Sequence, residues 1–564
     1  MTRSHRIPAA DVLRRNLVAL AQTQPRIYER VHWPVEGGHL VLDADGAWRF
    51  QLNASSFDFE QSDTLVAEGV GQTLAVVREG EELLLFGLGL GEHLEALLRE
   101  APDRMITAWD RDPWILRQVL SVRDWSAELE AGRLRFALDA DLVPLIESGQ
   151  NWCVLHHPIL SGVYANEARL LRDGLCEKRA LVCVGSLFVD SLAEALRGEG
   201  FSVFSFDVQN YAAEELQLVV EAYRPALVAS INYVHGTAEF CQALDLDYIC
   251  WEVDPATDEP EPLAAPAPRA HVFTYREANV SSFRRAGFGH VEYLPLATDP
   301  EKRIPVELSD EEQGRYGARI SFVGTSLMRN VAGFQLAFEE QFSVWRPQSG
   351  DEGTRAFVDL IVDQREGFSG YRIPERLEEK CPGFRAFCRD RSLQDPALLA
   401  AEIAAAEKRL NYVSELADHG MVAWGDDGWA QVEPLGVDYR GPALHETELP
   451  LIYSGSTINL DINRIYQGDI VTMRIFDILA CGGFVLAEHC DALADLFDIG
   501  SEIESYRTLA ELQDKVAYYL ANPGEARTIA ERGRFAVLTR HNIPDRVRTM
   551  LERCSGEEPS QRVA

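Results

Sequence analysis

What this sequence lacks narrows its reading before any motif is considered. No stretch reaches the roughly 18 apolar residues that a membrane span needs, and the basic start MTRSHRIPAADVLRRNL has no long apolar core of the signal-peptide kind. The expectation is a chain that stays in the cytoplasm without membrane insertion. Its 10 cysteines contain no C-x-x-C pair, so neither a disulfide framework nor a zinc knuckle is indicated. Positive charge is scarce, with 54 Lys and Arg against 89 Asp and Glu and a formal net charge of −35. Such a balance opposes polyanions and argues against nucleic acid or an anionic membrane as partner. Neither a G-x-S-x-G elbow nor a P-loop occurs, which leaves a hydrolase reading without support. Low-complexity tracts and long repeats are missing too.

What is present is a recurring strand–helix rhythm in a chain of 564 residues, 46% apolar and 25% charged. That composition is ordinary for a globular protein, and the length suits three or four domains with their own cores. The rhythm predicts an α/β fold built of several parallel, Rossmann-like sheets. Residues 1–80 read as a helix over 9–22 and a small β-rich cap around 40–53.

Residues 81–178 open with ELLLFGLGLGEHLEALLREAPDRMITAWDRDPWILRQVL. An apolar strand meets Gly87, Gly89 and Gly91, then come a helix, a second strand and Asp110. A glycine-rich turn between strand and helix, with an acid about 20 residues on, is the arrangement that binds a nucleotide or adenosyl cofactor. The stretch resembles the S-adenosylmethionine methyltransferase domain and the G-x-G-L-G opening of flagellin-modifying motility accessory proteins. The resemblance makes S-adenosylmethionine a candidate ligand of Gly87, Gly89, Gly91 and Asp110. Against it, Glu92 sets negative charge beside the turn and no aromatic-flanked methyl-transfer motif follows, which favours a scaffold or acceptor-recognition domain. His156 and His157 are adjacent, point to opposite faces of a strand, and read as structural rather than metal-binding.

The rhythm restarts at 179 with RALVCVGSLFVDSLAEALRGEGFSVFSFD, where the strand turns at Gly185–Ser186. A buried strand at 226–231 opens into a loop holding His235, and another at 248–253 ends at Asp254. The proline-rich run 255–268 reads as an extended surface segment and a candidate lid. A further restart, ARISFVGTSLMRN, delivers Gly324 and Thr325 into a loop that ends at Arg329, a seat for a diphosphate. Residues 340–420 read as a helical insertion on the outer face of this domain, with strand ends near 422–429 and 437–444.

The most informative stretch is YSGSTINLDINRIYQGDIVTMRIFDILACGGFVLAE, residues 453–488. It reads as a strand at 457–462, a polar loop with Arg464, Gly468 and Asp469, a helix at 471–480, a stop at Gly482–Gly483 and a strand at 484–487, one βαβ unit. The helix start, with Thr472 and Arg474, offers backbone N–H groups and partial positive charge to a diphosphate. Asp477 follows Asp469 by eight residues, nearly on the same helical face, where it can take ribose hydroxyls.

The run TMRIFDILACGGFVLAE, with LADLF at 493–497, a predicted helix at 509–520 and ANPGEARTIAERGRFAVLTRHNIPDRVRTML at 521–551, resembles the C-terminal half of the CgeB-like, spore-maturation-type glycosyltransferases. Trp251, Asp254 and Pro255, and then Phe273, Thr274, Leu294, Pro295, Asp299 and Pro300, resemble motifs of that family's N-terminal half. The resemblance implies a GT-B pair of Rossmann domains, 179–305 on the acceptor side and 306–530 on the donor side, with helices over 531–564 crossing back. It implies a UDP-, GDP- or dTDP-sugar donor. In retaining relatives two glutamates separated by seven intervening residues precede an A-C-G turn, one near the donor sugar and one on the ribose. Asp469 and Asp477 match them, each one methylene shorter.

A base for the acceptor proton has two candidates, His235, which titrates near neutrality, and Asp254. A retaining mechanism needs neither. The D-x-D pairs Asp139/Asp141 and Asp245/Asp247 read as strand-end acids rather than a cation site. The expectation is therefore a metal-independent enzyme whose leaving group is neutralised by an arginine and a helix N-terminus. Three functional readings stand: a glycosyltransferase acting on a glycan or a protein such as flagellin, a bifunctional methyltransferase–glycosyltransferase, and a non-catalytic nucleotide-sugar-binding protein. Donor base, sugar, stereochemistry and oligomeric state are not written in the sequence.

Overall fold

The computed structural model describes residues 9–33, 40–44, 46–52, 55–185, 187–254, 260–348, 350–365 and 370–555. Ser186 of the second glycine turn, Pro255 and the start of the proline-rich run lie outside the described residues, as does the chain after 555. Among the described residues four sheets follow one another along the sequence. The first is a small antiparallel meander of β1 (Leu40–Leu42), β2 (Trp48–Leu52) and β3 (Ser55–Asp58).

The other three sheets are Rossmann-like, with parallel pairing where register is defined. β4 (Glu82–Phe86), β5 (Ile106–Asp110), β6 (Leu134–Leu138) and β7 (Trp152–His156) lie in the order β6-β5-β4-β7. β8 (Arg179–Cys183), β9 (Ser202–Phe206), β10 (Leu227–Ile231), β11 (Asp247–Glu252), β12 (Ala270–Thr274) and β13 (His290–Tyr293) lie in the order β13-β12-β11-β10-β8-β9. β14 (Ala318–Val323), β15 (Met421–Trp424), β16 (Asp438–Tyr439), β17 (Ser456–Leu460), β18 (Val485–Glu488) and β19 (Glu504–Tyr506) lie in the order β16-β15-β14-β17-β18-β19. Short, near-continuous apolar runs such as LLLF and ISF are buried on both faces, as helix-covered parallel strands must be.

The chain divides into two compact units, one of Met1–Phe273, Ser281–Val291 and Met550–Ala564, the other of Thr274–Val280 and Glu292–Thr549. The first unit joins three segments that the sequence pattern separates. The joint is polar and partly buried: Arg30, in the helix Pro25–Val31, donates to both Glu215 oxygens at 2.8–3.0 Å, to Asp141 at 3.1 Å and to the Leu138 carbonyl at 3.1 Å. Glu215 lies in the helix Ala213–Tyr223 over the next sheet. Asn16 likewise ties the leading helix Ala10–Thr23 down, donating to the Leu120 and Arg123 carbonyls and accepting from Trp125 N–H.

In the second unit, β14–β19 surround a core of Phe322, Ile458, Leu460, Leu486, Val413 and Trp429. The helices between β14 and β15 bury their own aromatic core of Phe338, Phe342, Phe357 and Phe384, into which Ile465 and Tyr466 also pack. Asp395 caps the longest of them, Pro396–Ser414, which starts with proline in its first turn, the pairing that favours a helix start. This layer is more than an outer face, because its last helix runs to the ends of β14 and β17.

Arg30→Ala leaves Glu215 and Asp141 without their shared cation. It is expected to lower stability by about 1.5–3 kcal/mol, the range for hydrogen bonds to charged groups, read as an earlier urea midpoint for the first unit. An unchanged midpoint would mean that the joint is held by other contacts.

Candidate functional site

The order β16-β15-β14-β17-β18-β19 reverses direction between β14 and β17, and such switch points are where open α/β sheets bind ligands beyond their strands' carboxyl ends. β14 ends in Gly324, Thr325 and Ser326. β17 ends in the loop that carries Asp461 to Thr472 into the helix Met473–Ala480. Arg474 reaches across from that helix, donating Nε to the Val323 carbonyl at 2.8 Å and Nη1 to Asp461 at 2.6 Å. Its guanidinium lies 4.8 Å from the centre of the Phe322 ring. A Cβ at Gly324 would stand 2.8 Å from Arg474 Nη2, so the glycine permits this approach. Gly425, at φ +152, passes so near the Gly324 carbonyl that a Cβ would fall 2.1 Å from its oxygen.

Thr472 is the helix N-cap residue, yet its hydroxyl turns to Asp461 Oδ1 at 2.7 Å rather than to the helix. The first N–H groups of the helix are thereby left without a side-chain cap, as an anion seat requires.

The sequence reading missed the second arginine. Arg409, in Pro396–Ser414, donates to the Thr325 carbonyl at 2.7 Å, to its hydroxyl at 3.3 Å and to the Ile462 carbonyl at 3.2 Å. It lies 5.6 Å from the centre of the Phe322 ring and is only 6% exposed, with Nε buried and unpartnered. Three neighbouring cations each have a carboxylate: Arg474 has Asp461, Lys408 has Glu488, Arg464 has Glu402. Among the described residues Arg409 has none. Burial, and then the positive charges of Arg474 and Arg464, pull its proton affinity down to about 9. Asp461 Oδ2 and Asn463 Oδ1, in the same loop, are buried acceptors without a donor. No motif marks Arg409 in AEIAAAEKRLNYVS; a cation on the mostly buried, alanine-rich face was the only available signal.

Of the donor-side residues named from the sequence, Gly324, Thr325, Thr472 and Arg474 come together here. Gly468 and Asp469 lie exposed in the same loop, and Asp469, 44% exposed, pairs with Arg276 at 2.8 Å. Arg329 is exposed in the short turn Met328–Asn330. Asp477 is not presented to a ligand. It is 3% exposed, accepts from Arg303 Nε at 3.0 Å and from the Thr298 hydroxyl at 2.9 Å, and burial raises its pKa despite that pairing. Asp469 stands in the loop before the helix Met473–Ala480, so the eight-residue spacing does not put it on a helical face with Asp477, and Asp477 itself is covered by Thr298 and Arg303.

In the first unit, His235 is exposed in the loop after β10, 3.4 Å from Glu261. Asp254 is exposed after β11 and accepts from Asn232 Nδ2 at 2.8 Å. The D-x-D acids are paired locally, Asp141 with Arg30, and Asp245 and Asp247 with Arg269, while Asp139 is buried. Among the described residues no three His, Cys, Asp or Glu side chains group as a metal ion would need.

Gly87, Gly89, Gly91 and Asp110 do meet at the carboxyl end of β4 and β5, but the protein's own side chains fill the place. A Cβ on Gly87 would lie 2.9 Å from His157 Cβ and Leu160 Cβ, and one on Gly89 would lie 2.4 Å from His157 Nε2. His157 is fully buried, its Nδ1 accepts from Ile159 and Leu160 N–H, and burial pushes it down to about 3, so it stays neutral. Asp110 accepts from Leu88 N–H at 2.7 Å and from the Tyr164 hydroxyl at 2.8 Å, while Tyr211 from the next sheet's layer stands 2.8 Å from Asp112. These residues do not fit an adenosyl cofactor, because the acid that would hold its ribose is already satisfied.

Gly89→Ala is expected to destabilise the protein by about 1–3 kcal/mol through left-handed backbone strain and the His157 contact, with part of the loss recovered in the His157→Ala background. Calorimetry with S-adenosylmethionine should give no binding heat; saturable heat would reopen the methyltransferase reading. Asp477→Ala strands Arg303 in the interior and should lower stability by about 3–5 kcal/mol; a variant as stable as the parent would free Asp477 for a ligand role.

Residues 401–552 match the family described as glycosyl transferase-like. No curated protein matches the chain. Among solved structures, sucrose-phosphate synthase from Thermosynechococcus elongatus is 13% identical, with 67% of this chain and 99% of that one covered and a TM-score of 0.39. Anabaena HepE, in complex with UDP and glucose, is 12% identical, with 67% and 100% covered and a TM-score of 0.36. The MAf glycosyltransferase from Magnetospirillum magneticum is 13% identical, with 52% and 58% covered and a TM-score of 0.21. No described helix is long and apolar enough to cross a membrane. Lys408, Arg409, Asp461 and Arg474 all lie inside the segment 401–552 that matches the glycosyl transferase-like family.

Proposed function

We propose that this protein is a GT-B glycosyltransferase that moves a sugar from a nucleoside-diphosphate donor to an acceptor hydroxyl. The observation that carries the reading is Arg409, a buried guanidinium with no carboxylate partner at the switch point of a Rossmann-like sheet. A buried unpaired cation is unfavourable by several kcal/mol, and a diphosphate beside it would offset that loss. Arg474 and the start of the helix Met473–Ala480 add positive potential at the same place.

In this reading the diphosphate lies against the Gly324–Thr325 loop and the helix N-terminus, with Arg329 and Gly468 at the rim. The two buried arginines stabilise the negative charge that grows on the leaving group as the anomeric C–O bond breaks. No metal is needed for that task. Asp461 Oδ2 and Asn463 Oδ1, buried acceptors with no donor of their own, take hydroxyls of the ribose or the sugar in place of Asp477. Asp469, beside Arg276, stands nearest to solvent and is suited to a sugar hydroxyl. A protein acceptor such as flagellin is the extension suggested by the GLGLG opening at 87–91.

Calorimetry with UDP, GDP and dTDP tests the donor site. One of them should bind, and Arg409→Ala and Arg474→Ala should each weaken it by about 1.5–3 kcal/mol, the range for a charge-assisted hydrogen bond, with affinity measured well below each variant's melting temperature because Arg474→Ala also leaves buried Asp461 without its cation. Equal affinity in both variants would move the nucleotide elsewhere. A nucleotide that binds, with no sugar turned over on any acceptor or on water, would favour the non-catalytic reading.

A further inference from the structure

The turn that leaves β17 is held by distant side chains that bond to its main chain. Three successive carbonyls accept in this way: Asp461 from the Tyr506 hydroxyl at 2.8 Å, Ile462 from Arg409 Nη2 at 3.2 Å and Asn463 from Lys408 Nζ at 3.1 Å. The N–H of Asp461 goes to the Leu486 carbonyl at 3.0 Å, and that of Asn463 to Glu488 Oε2 at 2.9 Å. All of these residues lie in the second unit.

Asn463 is gripped from both sides. Lys408 Nζ, which donates to its carbonyl, also pairs with Glu488 Oε1, and the other oxygen of that carboxylate takes the Asn463 N–H. Lys408 is 1% exposed and stands in the helix Pro396–Ser414, one residue before Arg409. A buried ion pair is weak evidence for stability, because well-packed apolar side chains in its place are often as stable, so this pair needs another reason. The Asn463 side chain supplies one. In a turn, an asparagine ordinarily uses its side-chain oxygen on a nearby backbone N–H and so holds the turn itself. Here Lys408 and Glu488 do the holding, and Asn463 Oδ1 is buried without a donor while Nδ2 turns to the Ile470 carbonyl at 3.4 Å.

We propose that Lys408 is a positioning residue of the donor site, acting with Glu488 to fix the Asn463 backbone so that Oδ1 stays an open acceptor for a sugar hydroxyl of the nucleotide; this rests on the donor reading above. Lys408 does not touch the ligand. Neighbouring residues of one helix thereby divide the work, Arg409 supplying charge for the diphosphate and Lys408 setting the acceptor for a hydroxyl. Inorganic pyrophosphate carries the charge and has no sugar hydroxyl. Its binding is therefore indifferent to Lys408, while that of a nucleoside diphosphate is not.

The test uses the full chain and calorimetry with UDP, GDP, dTDP and inorganic pyrophosphate. Lys408→Met combined with Glu488→Gln removes both charges of the pair at once, so no buried charge is stranded, and the glutamine keeps an oxygen for the Asn463 N–H. The nucleotide that binds the parent should bind this double variant about tenfold more weakly, as for one displaced hydrogen-bond partner, with pyrophosphate affinity within about twofold of the parent. Asn463→Ala should show the same split, and adding it to the double variant should weaken the nucleotide by no more than about twofold further, because both changes act through one oxygen. Parental nucleotide affinity in either variant, or a pyrophosphate loss equal to the nucleotide loss, would reduce Lys408 to a strut and leave the donor site standing. If the parent binds none of the three nucleotides, the donor reading fails and takes this one with it.

Discussion

Two guanidinium groups beside one phenylalanine set the conditions that the second unit has to meet. Arg409 and Arg474 both lie over Phe322, both are withdrawn from water, and between them they have one carboxylate, Asp461. Buried cations need acceptors, and here most of these are main-chain carbonyls at the ends of β14 and β17, those of Val323, Thr325 and Ile462. That demand explains the glycines: a side chain at 324 would strike Arg474, and one at 425 would strike the Gly324 carbonyl that accepts from Trp429 Nε1. It also explains why a layer of helices between β14 and β15 matters to the site. Its aromatic core holds the helix bearing Arg409 and anchors, through Ile465 and Tyr466, the loop that supplies Asp461 and Asn463.

Asp469 and Asp477 show how one spacing leads to two environments. Both lie in the same βαβ unit, but Asp469 stands in an exposed loop beside Arg276, while the segment carrying Thr298 and Arg303 covers Asp477. The first keeps a carboxylate near solvent. The second becomes a bolt between the helix and a strand-free segment far away in sequence, and burial rather than pairing dominates its titration. The Rossmann-like sheet β4–β7 makes the same point at the scale of a domain. Its order and its glycine turn are those of a cofactor-binding sheet, yet His157 and Tyr164 occupy the turn and the acid. A fold with that history of uses does not carry the use with it.

Much of the architecture was legible because it rests on local pattern. The apolar strand ending near 460, the helix ending at Ala480 and the strand from Val485 lie within two residues of where periodicity and the Gly482–Gly483 stop place them. The leading helix, the β-rich cap and the helix from Leu509 are likewise where expected. Of the candidate site, the residues that the sequence names and the fold brings together are Gly324, Thr325, Thr472 and Arg474. Arg409 was not, since it belongs to no motif and its chemistry comes from what surrounds it.

By itself the sequence determined strands, helices, glycine turns and an excess of negative charge, because each depends on residues a few positions apart or on a simple count. Only the tertiary structure decided which charges are paired. Asp477 finds Arg303 across 174 positions and Tyr164 finds Asp110 across 54, while Arg409 finds no carboxylate. Burial and partnership set whether an ionisable group is a strut, a plug or a ligand, and both are properties of neighbours in space that no spacing along the chain encodes.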